Sequence, residues 1–259
     1  MPRDASGRSF MTMKIGILGA GNIGTTLARR LAAARHEVKV ANSRGPETIA
    51  AKALDTGARA TTAEEAAKDV DVLILSMPQT AFAKVKPLVA ALPNEAVVID
   101  TSNYFPQRDG VNPALEAGEV ESEWLQTLLG RPVVKAWNAI GTAPFAENDK
   151  PRGHPERSAI PIAGDRAEDR EVAMALMDDT GFDGFDAGTL AESWRQQPGS
   201  PVYCTNLRRD QIAPALAAAE RDRLPKRRDL SVAIFAERFG AGVNPDAETI
   251  IRISRALQM

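Results

Sequence analysis

The fold of this chain is decided by one stretch, Lys14-Ile15-Gly16-Ile17-Leu18-Gly19-Ala20-Gly21-Asn22-Ile23-Gly24. An apolar run ends there in the pattern G-x-G-x-x-G and passes directly into helix-forming residues, which predicts a strand, a tight turn and a helix N-terminus. Gly19 allows the turn, Gly21 lets the backbone approach a pyrophosphate, and Gly24 lets the helix pack on the strand. The stretch therefore predicts a dinucleotide-binding site, the alternative being a structural turn without a ligand.

The residues after the second predicted strand, Glu37 to Ala41, indicate which dinucleotide binds. An acidic residue about 20 residues past the glycines would bind the ribose of NAD, whereas this chain has Asn42-Ser43-Arg44. Because this stretch contains no carboxylate, nothing in it would repel a 2′-phosphate. The Ser43 hydroxyl and the Arg44 guanidinium can bind such a phosphate through charge-assisted hydrogen bonds. The sequence therefore favours NADP(H) over NAD, the alternative being that Arg44 is a solvated loop charge.

Composition narrows the classes of partner. The 259 residues include 32 lysines and arginines against 34 aspartates and glutamates, and the longest basic run is Lys226-Arg227-Arg228, so no charge pattern suggests binding to nucleic acid or a membrane surface. The single cysteine, Cys204, excludes an internal disulfide and fits the cytoplasm. His36 and His154 lack the spacing of metal ligands, so we expect no metal site.

Three regions are expected along the chain. No apolar run approaches the ~20 residues that span a bilayer, and the polar residues 1–12 lack the apolar core of a signal peptide. We interpret residues 1–12 as a disordered extension without function, in which Met11 is a conceivable alternative start, as is Met13 just after it. Residues 13–187 form the predicted NADP-binding domain, and residues 188–259 form a helical C-terminal region.

Alternating strand and helix patterns continue through the second region and predict an α/β fold, a Rossmann-type doubly wound, mostly parallel sheet of about eight strands with a C-terminal helical appendage. An edge strand is predicted at Ala159–Gly164 because Pro161 lacks an N–H. Helices are predicted at Asn22–Ala34, Pro46–Leu54, Thr62–Lys68, Thr80–Leu92 (bent at Pro87), Glu121–Leu129, Ala167–Met177, Asp210–Arg221, Leu230–Phe239 and Ala247–Leu257. Further strands are predicted at Ala58–Ala60, Asp71–Ser76, Glu95–Asp100, Arg131–Ala136 and Phe182–Phe185. Loops are predicted at Phe105–Gly118 and Asn148–Arg157.

From Lys14 to Thr189 the chain resembles the NADP oxidoreductases that use the 8-hydroxy-5-deazaflavin coenzyme, and their bacterial relatives. The reductase domain of the six-transmembrane metalloreductases is similar at the same positions. The resemblance is carried by the glycine motif, by Asn42-Ser43-Arg44, and by Ser76-Met77-Pro78, Lys135-Ala136-Trp137-Asn138 and Asp186-Ala187-Gly188-Thr189-Leu190.

The resemblance implies a set of cofactor contacts. Asn22 and Ile23 would belong to the pyrophosphate turn, and Ser43 and Arg44 to the 2′-phosphate site. The walls around the ribose and nicotinamide would come from Met77, Pro78, Trp137 and Asn138. Asn42, Asn103 and Ala139 complete the predicted cofactor-binding set.

Candidate catalytic residues are few. The Tyr-x-x-x-Lys pair of short-chain dehydrogenases is absent, and no acid or histidine at a predicted strand end has an obvious basic partner. Lys135 either polarises a carbonyl or is a surface lysine at a strand terminus, and Asn138 is the second candidate. Catalysis would then depend mainly on placing two rings in contact.

Three residues in the C-terminal region have open roles. Trp194 and Tyr203 either stack on a flat acceptor or are ordinary core and interface aromatics. Cys204 is interpreted as a small buried hydrophobe rather than a nucleophile, because no histidine lies near it in the sequence.

The sequence thus predicts a cytoplasmic NADP(H)-dependent oxidoreductase. It would transfer hydride between nicotinamide and a flat small-molecule acceptor, with 8-hydroxy-5-deazaflavin as a candidate co-substrate. The alternatives are a carbonyl or imine reductase and a non-catalytic NADP(H)-binding sensor. The apolar stripes of the C-terminal helices predict a homodimer, with packing inside one chain as the alternative.

Overall fold

The computed structural model describes residues 12–240, 242–243 and 245–259. The predicted N-terminal extension lies almost wholly outside these residues, and the division at residue 188 stays a prediction. The described strands are β1 (Lys14–Leu18), β2 (Glu37–Ala41), β3 (Arg59–Ala60), β4 (Val72–Leu75), β5 (Val97–Asp100), β6 (Val134–Lys135), β7 (Ala159–Gly164) and β8 (Asp183–Asp186).

These strands form an eight-stranded sheet in the order β3-β2-β1-β4-β5-β6-β7-β8. Every neighbouring pair is parallel except β6 and β7, where Val134 lies opposite Gly164 in an antiparallel register. The strand order reverses between β1 and β4, which is where doubly wound sheets bind ligands beyond the carboxyl ends of their strands. The predicted doubly wound fold is confirmed.

The described helices are α1 (Asn22–Ala33), α2 (Ala63–Ala66), α3 (Phe82–Ala90), α4 (Pro106–Asp109), α5 (Pro113–Glu116), α6 (Glu121–Leu129), α7 (Thr142–Glu147), α8 (Ala167–Asp179), α9 (Arg209–Ala217), α10 (Leu224–Phe239) and α11 (Ala247–Gln258). Helices cover both faces of the sheet, because alternate residues of β4 belong to separate cores. Val72 and Ile74 pack with α1 and α8, whereas Leu73 and Leu75 pack with α3 and α6. None of the described helices is both long and apolar enough to cross a membrane.

The predicted helix at Pro46–Leu54 is wrong. Two separate 3₁₀ turns occupy this stretch, Pro46–Thr48 and Ala51–Ala53, with extended backbone at Ile49 between them. Ile49 and Ala53 are the buried apolar side chains there, which is less than the continuous stripe that stabilises an amphipathic helix.

The predicted edge position of β7 is also wrong, since β7 lies between β6 and β8. Pro161 is tolerated because the ladder to β8 uses the even-numbered residues, for example the Ile162 carbonyl, which accepts from Ala187 N–H. On the other flank β6 pairs only with Ala163 and Gly164. The Pro161 carbonyl on that flank accepts a hydrogen bond from the Gln196 side chain.

Smaller differences concern element ends. The predicted loop 105–118 contains two single-turn helices, α4 and α5, each with proline in its first turn, a position that needs no N–H. Helix α3 begins at Phe82 after a 3₁₀ turn and accommodates Pro87. The three predicted C-terminal helices are present, and α10 begins at Leu224 instead of Leu230.

Candidate functional site

The glycines of the turn between β1 and α1 have different roles, since two of them are required by the fold and one leaves room for a ligand. Gly19 has φ +112°, and a Cβ there would overlap the Ser76 carbonyl oxygen. A Cβ at Gly24 would overlap the Gly19 carbonyl oxygen, whereas one at Gly21 would meet no atom of the described chain within 4 Å. The fold therefore requires Gly19 and Gly24, while Gly21 leaves open space beside the N-terminus of α1, as a pyrophosphate would require.

The loop after β2 presents a free cation. The Asn42 side chain is used inside the loop, since its Oδ1 accepts from Arg44 N–H (2.9 Å) and its Nδ2 donates to Thr48 Oγ1 (2.9 Å). Ser43 and Arg44 are exposed, and among the described residues no carboxylate pairs with the Arg44 guanidinium. The arrangement leaves both side chains available to a phosphate, with Asn42 shaping the loop.

A cavity of about 720 Å³ begins at the glycine turn and continues under α10 and α11. Its walls include eight of the residues predicted to bind the cofactor, namely Gly21, Asn22, Ile23, Met77, Pro78, Asn103, Trp137 and Asn138. The remaining predicted residues do not line it; they are Gly19, Gly24, Asn42, Ser43, Arg44, Ala139 and Lys135. Ala139 instead accepts a hydrogen bond from Cys204 N–H through its carbonyl. Contact of the predicted set with NADP(H) stays a prediction.

The interpretation of Lys135 as a surface lysine is wrong, whereas its action on a carbonyl stays a prediction. Its side chain is fully buried, so it is not a surface lysine. Its Nζ donates to Asp100 Oδ2 (2.9 Å) and to the Ser102 carbonyl (2.6 Å), with Glu121 Oε2 at 3.7 Å. Lys135 does not line the cavity, so the structure gives its ammonium contacts to protein groups and none to the cavity. The expectation that no strand-end acid has a basic partner is wrong too, since Asp100 ends β5 beside this lysine.

The buried charges around Lys135 hold one wall of the cavity in place. Asp100 Oδ1 accepts from Ser102 N–H (2.8 Å), and Glu121 Oε2 accepts from Tyr104 N–H (3.1 Å). Burial raises the pKa of Glu121, and the nearby Lys135 ammonium opposes that rise. The backbone of residues 102–104 is thereby fixed at both ends. The chain sequence gives no sign of this cluster, because its members lie on β5, α6 and β6.

Asn138 positions Asn103 instead of presenting its own amide to a ligand. Its Nδ2 donates to Asn103 Oδ1 (3.1 Å) and to the Gln196 carbonyl (2.8 Å), and its Oδ1 accepts from Gln196 Nε2 (2.9 Å). Asn103 Nδ2 donates in return to the Asn138 carbonyl (2.9 Å). Gln196 could not be predicted from the sequence, because no spacing links it to Asn138. A catalytic role for Asn138 has no free polar atom to support it.

Trp137 directs its side chain away from the cavity. Its Nε1 donates to Thr180 Oγ1 (3.2 Å), and the indole belongs to the core under α8. The backbone at Trp137 has φ +56°, and Cys204 has φ +57°. Such left-handed conformations are uncommon for residues other than glycine and often accompany functional sites.

The two open aromatics have different roles. Trp194 packs on Val120 and Leu224, with the Arg195 guanidinium 4.3 Å from its ring, so it is a core aromatic. Tyr203 lines the cavity together with Cys204. Burial raises the pKa of Tyr203 well above its ordinary value and that of the Cys204 thiol to about 12. Both groups are therefore protonated at neutral pH, and Cys204 is unsuited to act as a nucleophile.

A further polar group was missed by the sequence analysis. The Ser102 side chain is buried and lines the cavity, and its Oγ has no hydrogen-bond partner among the described residues. Buried hydroxyls without a partner are rare. Its place two residues after Asp100, the last residue of β5, is the one sequence signal that pointed toward it.

Comparison with known proteins identifies the family. Residues 14–104 match the model of the family described as NADP oxidoreductase, coenzyme F420-dependent. The Escherichia coli protein YjhV is 34% identical over 136 residues, which cover 51% of this chain and 87% of YjhV. A Sinorhizobium meliloti protein of known structure, SMa0349, is 30% identical with a TM-score of 0.62, over 76% of this chain and 95% of that one.

Two more distant proteins agree with the fold. A candidate F420-dependent NADP reductase from Arthrobacter is 19% identical with a TM-score of 0.54, over 90% of this chain and all of that chain. The rat metalloreductase STEAP3 is 28% identical over 181 residues, 70% of this chain but only 35% of its own length. The chain is therefore an NADP-dependent oxidoreductase and belongs to the coenzyme F420-dependent NADP oxidoreductase family.

Proposed function

We propose that this enzyme transfers hydride between NADP(H) and a flat acceptor that lies under α10 and α11. The observation that carries the proposal is the continuity of the cavity. One end is lined by Gly21 and Met77, where the cofactor is predicted, and the other by Phe235 and Ile250. A nicotinamide at the first end and a ring at the second would share one cavity, as direct hydride transfer requires.

The acceptor that comes first for testing is 8-hydroxy-5-deazaflavin, because the family carries its name. The family match ends at residue 104, whereas the walls under α10 and α11 come from residues 203–258. The match therefore supports the cofactor end of the cavity, and the acceptor end has to be argued from its own residues.

Reduction of a carbonyl or imine is the second candidate, and Tyr203 favours it. A carbonyl or imine needs a proton as well as a hydride, and the protonated Tyr203 phenol in the cavity wall is a group that could donate one. Lys135 is less suited, because its Nζ already donates to Asp100 and Ser102 and does not line the cavity.

The experiment is an NADPH titration followed by an acceptor panel. Quenching of the protein fluorescence, or a change in NADPH fluorescence, measures binding. NADPH oxidation is then followed at 340 nm with deazaflavin, flavin, quinone, carbonyl and imine acceptors. Turnover with one class supports the proposal. Tight NADPH binding without oxidation by any class would overturn it in favour of the non-catalytic sensor.

The Tyr203→Phe variant separates the two candidates. If hydride passes between stacked rings, we expect the turnover number to fall by less than about a hundredfold, because placement carries the catalysis. If Tyr203 protonates a carbonyl or imine, the loss should reach ~10²–10⁴-fold with NADPH affinity unchanged. Steady-state kinetics on the acceptor found in the panel measures this, and Trp194→Phe, outside the cavity, is the matched control.

A further inference from the structure

The acceptor end of the cavity has walls of one chemical character. The acceptor end is the part of the cavity lined by Tyr203, Cys204 and the cavity-lining residues of α10, α11 and the segment between these two helices. From α10 come Ser231, Val232, Phe235 and Ala236, and from α11 come Ile250, Ser254 and Gln258. These positions recur at three- and four-residue spacing, so each helix presents one face. Val243 and Pro245 extend the apolar surface between the helices.

Charge is nearly absent from this space. Among the described lining residues, Arg108 is the one with an ionised side chain at neutral pH. Its Nε and Nη2 donate to the two Asp109 carboxylate oxygens (2.9 and 2.8 Å), and Nη2 also donates to the Asn103 carbonyl (2.6 Å). Arg108 is half exposed, whereas Asp109 is buried beneath it. The guanidinium is therefore neutralised and lies at the rim.

Most polar groups of the acceptor end are already used. Ser231 Oγ donates to the Arg228 carbonyl (2.6 Å). With its side-chain amide turned over, which satisfies both of its polar atoms, Gln258 donates to the Tyr203 and Ser200 carbonyl oxygens (2.6 and 2.7 Å). An ionised ligand would lose its hydration here and find neither a counter-charge nor several hydrogen bonds in return.

We infer that the acceptor end binds an uncharged apolar ring, and that any ionised group of the acceptor stays at the rim beside Arg108. The inference rests on the proposed function in assigning this end of the cavity to the acceptor. Apolar faces of Val232, Phe235 and Ile250 bury the ring, and Tyr203 is the polar group that can orient it. A carboxylate, sulfonate or phosphate attached directly to the ring is excluded.

Binding of two matched probes tests the inference without turnover. The enzyme is saturated with NADP⁺, which has no hydride to donate, and titrated with 2-naphthol and with 2-naphthalenesulfonate. The two molecules share a ring system, and at pH 7 only the second is charged. We expect the naphthol to bind at least about tenfold tighter. The sulfonate would lose its hydration in the cavity, and no charge-assisted hydrogen bond would replace it. Equal affinities, or tighter binding of the sulfonate, would overturn the inference.

Two lysine substitutions on α10 locate the effect. Val232→Lys puts a cation on the cavity face, whereas Leu230→Lys, two residues earlier, puts one on an exposed position outside the cavity. We expect the preference for naphthol over sulfonate to fall about tenfold or more in Val232→Lys and to be unchanged in Leu230→Lys. If Val232→Lys does not fold, Ala236→Lys at the exposed rim of the same face replaces it.

The outcomes separate this inference from the proposed function. A folded cavity-face variant that keeps the wild-type preference would overturn the inference even if the enzyme oxidises NADPH. If no acceptor in the panel is reduced but the probes show the expected preference, the hydride-transfer proposal fails and the binding chemistry of the cavity stands.

Discussion

Lys135 is a buried cation whose contribution is structural. Its ammonium bonds Asp100 and the Ser102 carbonyl with no exposure to solvent. Removing one partner of a buried ion pair leaves an uncompensated charge, which costs about 3–5 kcal/mol. We therefore expect Lys135→Met to lower the free energy of unfolding by that amount, measured by urea denaturation with and without NADPH.

The exposed lysine Lys84, on α3, gives the matched control. Lys84→Met should change the stability by no more than about 0.5 kcal/mol. A Lys135→Met protein of wild-type stability that had lost turnover would contradict the structural role and return this residue to the catalytic candidates.

Arg44 is the residue on which cofactor choice is expected to depend. Its guanidinium is exposed and has no carboxylate partner among the described residues. A charge-assisted hydrogen bond to a 2′-phosphate is worth ~1.5–3 kcal/mol, about tenfold or more in affinity. We expect NADPH to bind at least about tenfold tighter than NADH, and Arg44→Ala to weaken NADPH selectively.

Calorimetry on both cofactors measures the difference, and Lys52→Ala, at another exposed cation close by in the chain, controls for general charge effects. If NADPH and NADH bind equally to the unmodified protein, the 2′-phosphate site is misplaced.

Ser43 and Arg44 could be predicted from the sequence, because they are consecutive residues and therefore lie on one loop. Ser102, Asn138 and Gln196 could not be assigned roles, because their hydrogen bonds depend on contacts between distant segments.

At the scale of elements, the sequence was most informative where one strand and the next turn decide the structure. The apolar run of β4 is buried on both faces, as its composition predicts for a covered parallel strand. The local sequence pattern gave a wrong edge position for β7, because whether a strand tolerates Pro161 in its interior depends on how β6 and β8 pair with it. It failed again at Pro46–Leu54, where the two buried side chains are too few to stabilise a helix.

Substitutions in the turn between β1 and α1 should separate cofactor binding from the stability of the fold. Gly21→Val should abolish NADPH binding and leave the melting temperature within a few degrees, because its Cβ meets no described atom within 4 Å. Fluorescence titration and thermal denaturation measure the two properties. Gly24→Val is the contrasting variant, since it should destabilise the fold itself. Normal NADPH affinity in folded Gly21→Val would show that the pyrophosphate lies elsewhere.

At the scale of the whole molecule, the cavity joins parts of the chain that are far apart in sequence. Its cofactor end is built by the carboxyl edge of the sheet, and its acceptor end by α10 and α11. Helix α11 packs on α7 and on α10 within one chain, so the C-terminal helices cover the cavity of their own subunit. The amphipathic pattern predicted these helices, but it could not show which part of the sheet they cover.

The same helices carry apolar surface beyond what the cavity uses. Leu230 is 45% exposed, and Ile234, Phe239 and Ile251 remain partly exposed. Apolar side chains left exposed on neighbouring helices can mark an association site. We propose a homodimer in which the chain after Gly188 contributes to the interface, with α10 and α11 as its centre.

Phe239→Asp should weaken this dimer, because a carboxylate would have to be buried without a partner, while Glu237→Gln at an exposed position of α10 should not. Sedimentation equilibrium and small-angle scattering at micromolar concentration measure the mass of each protein. A monomeric wild-type protein would show that the C-terminal helices satisfy their apolar faces within one chain. A dimer unaffected by Phe239→Asp would place the interface on another surface, and the acceptor end would then be closed by one subunit alone.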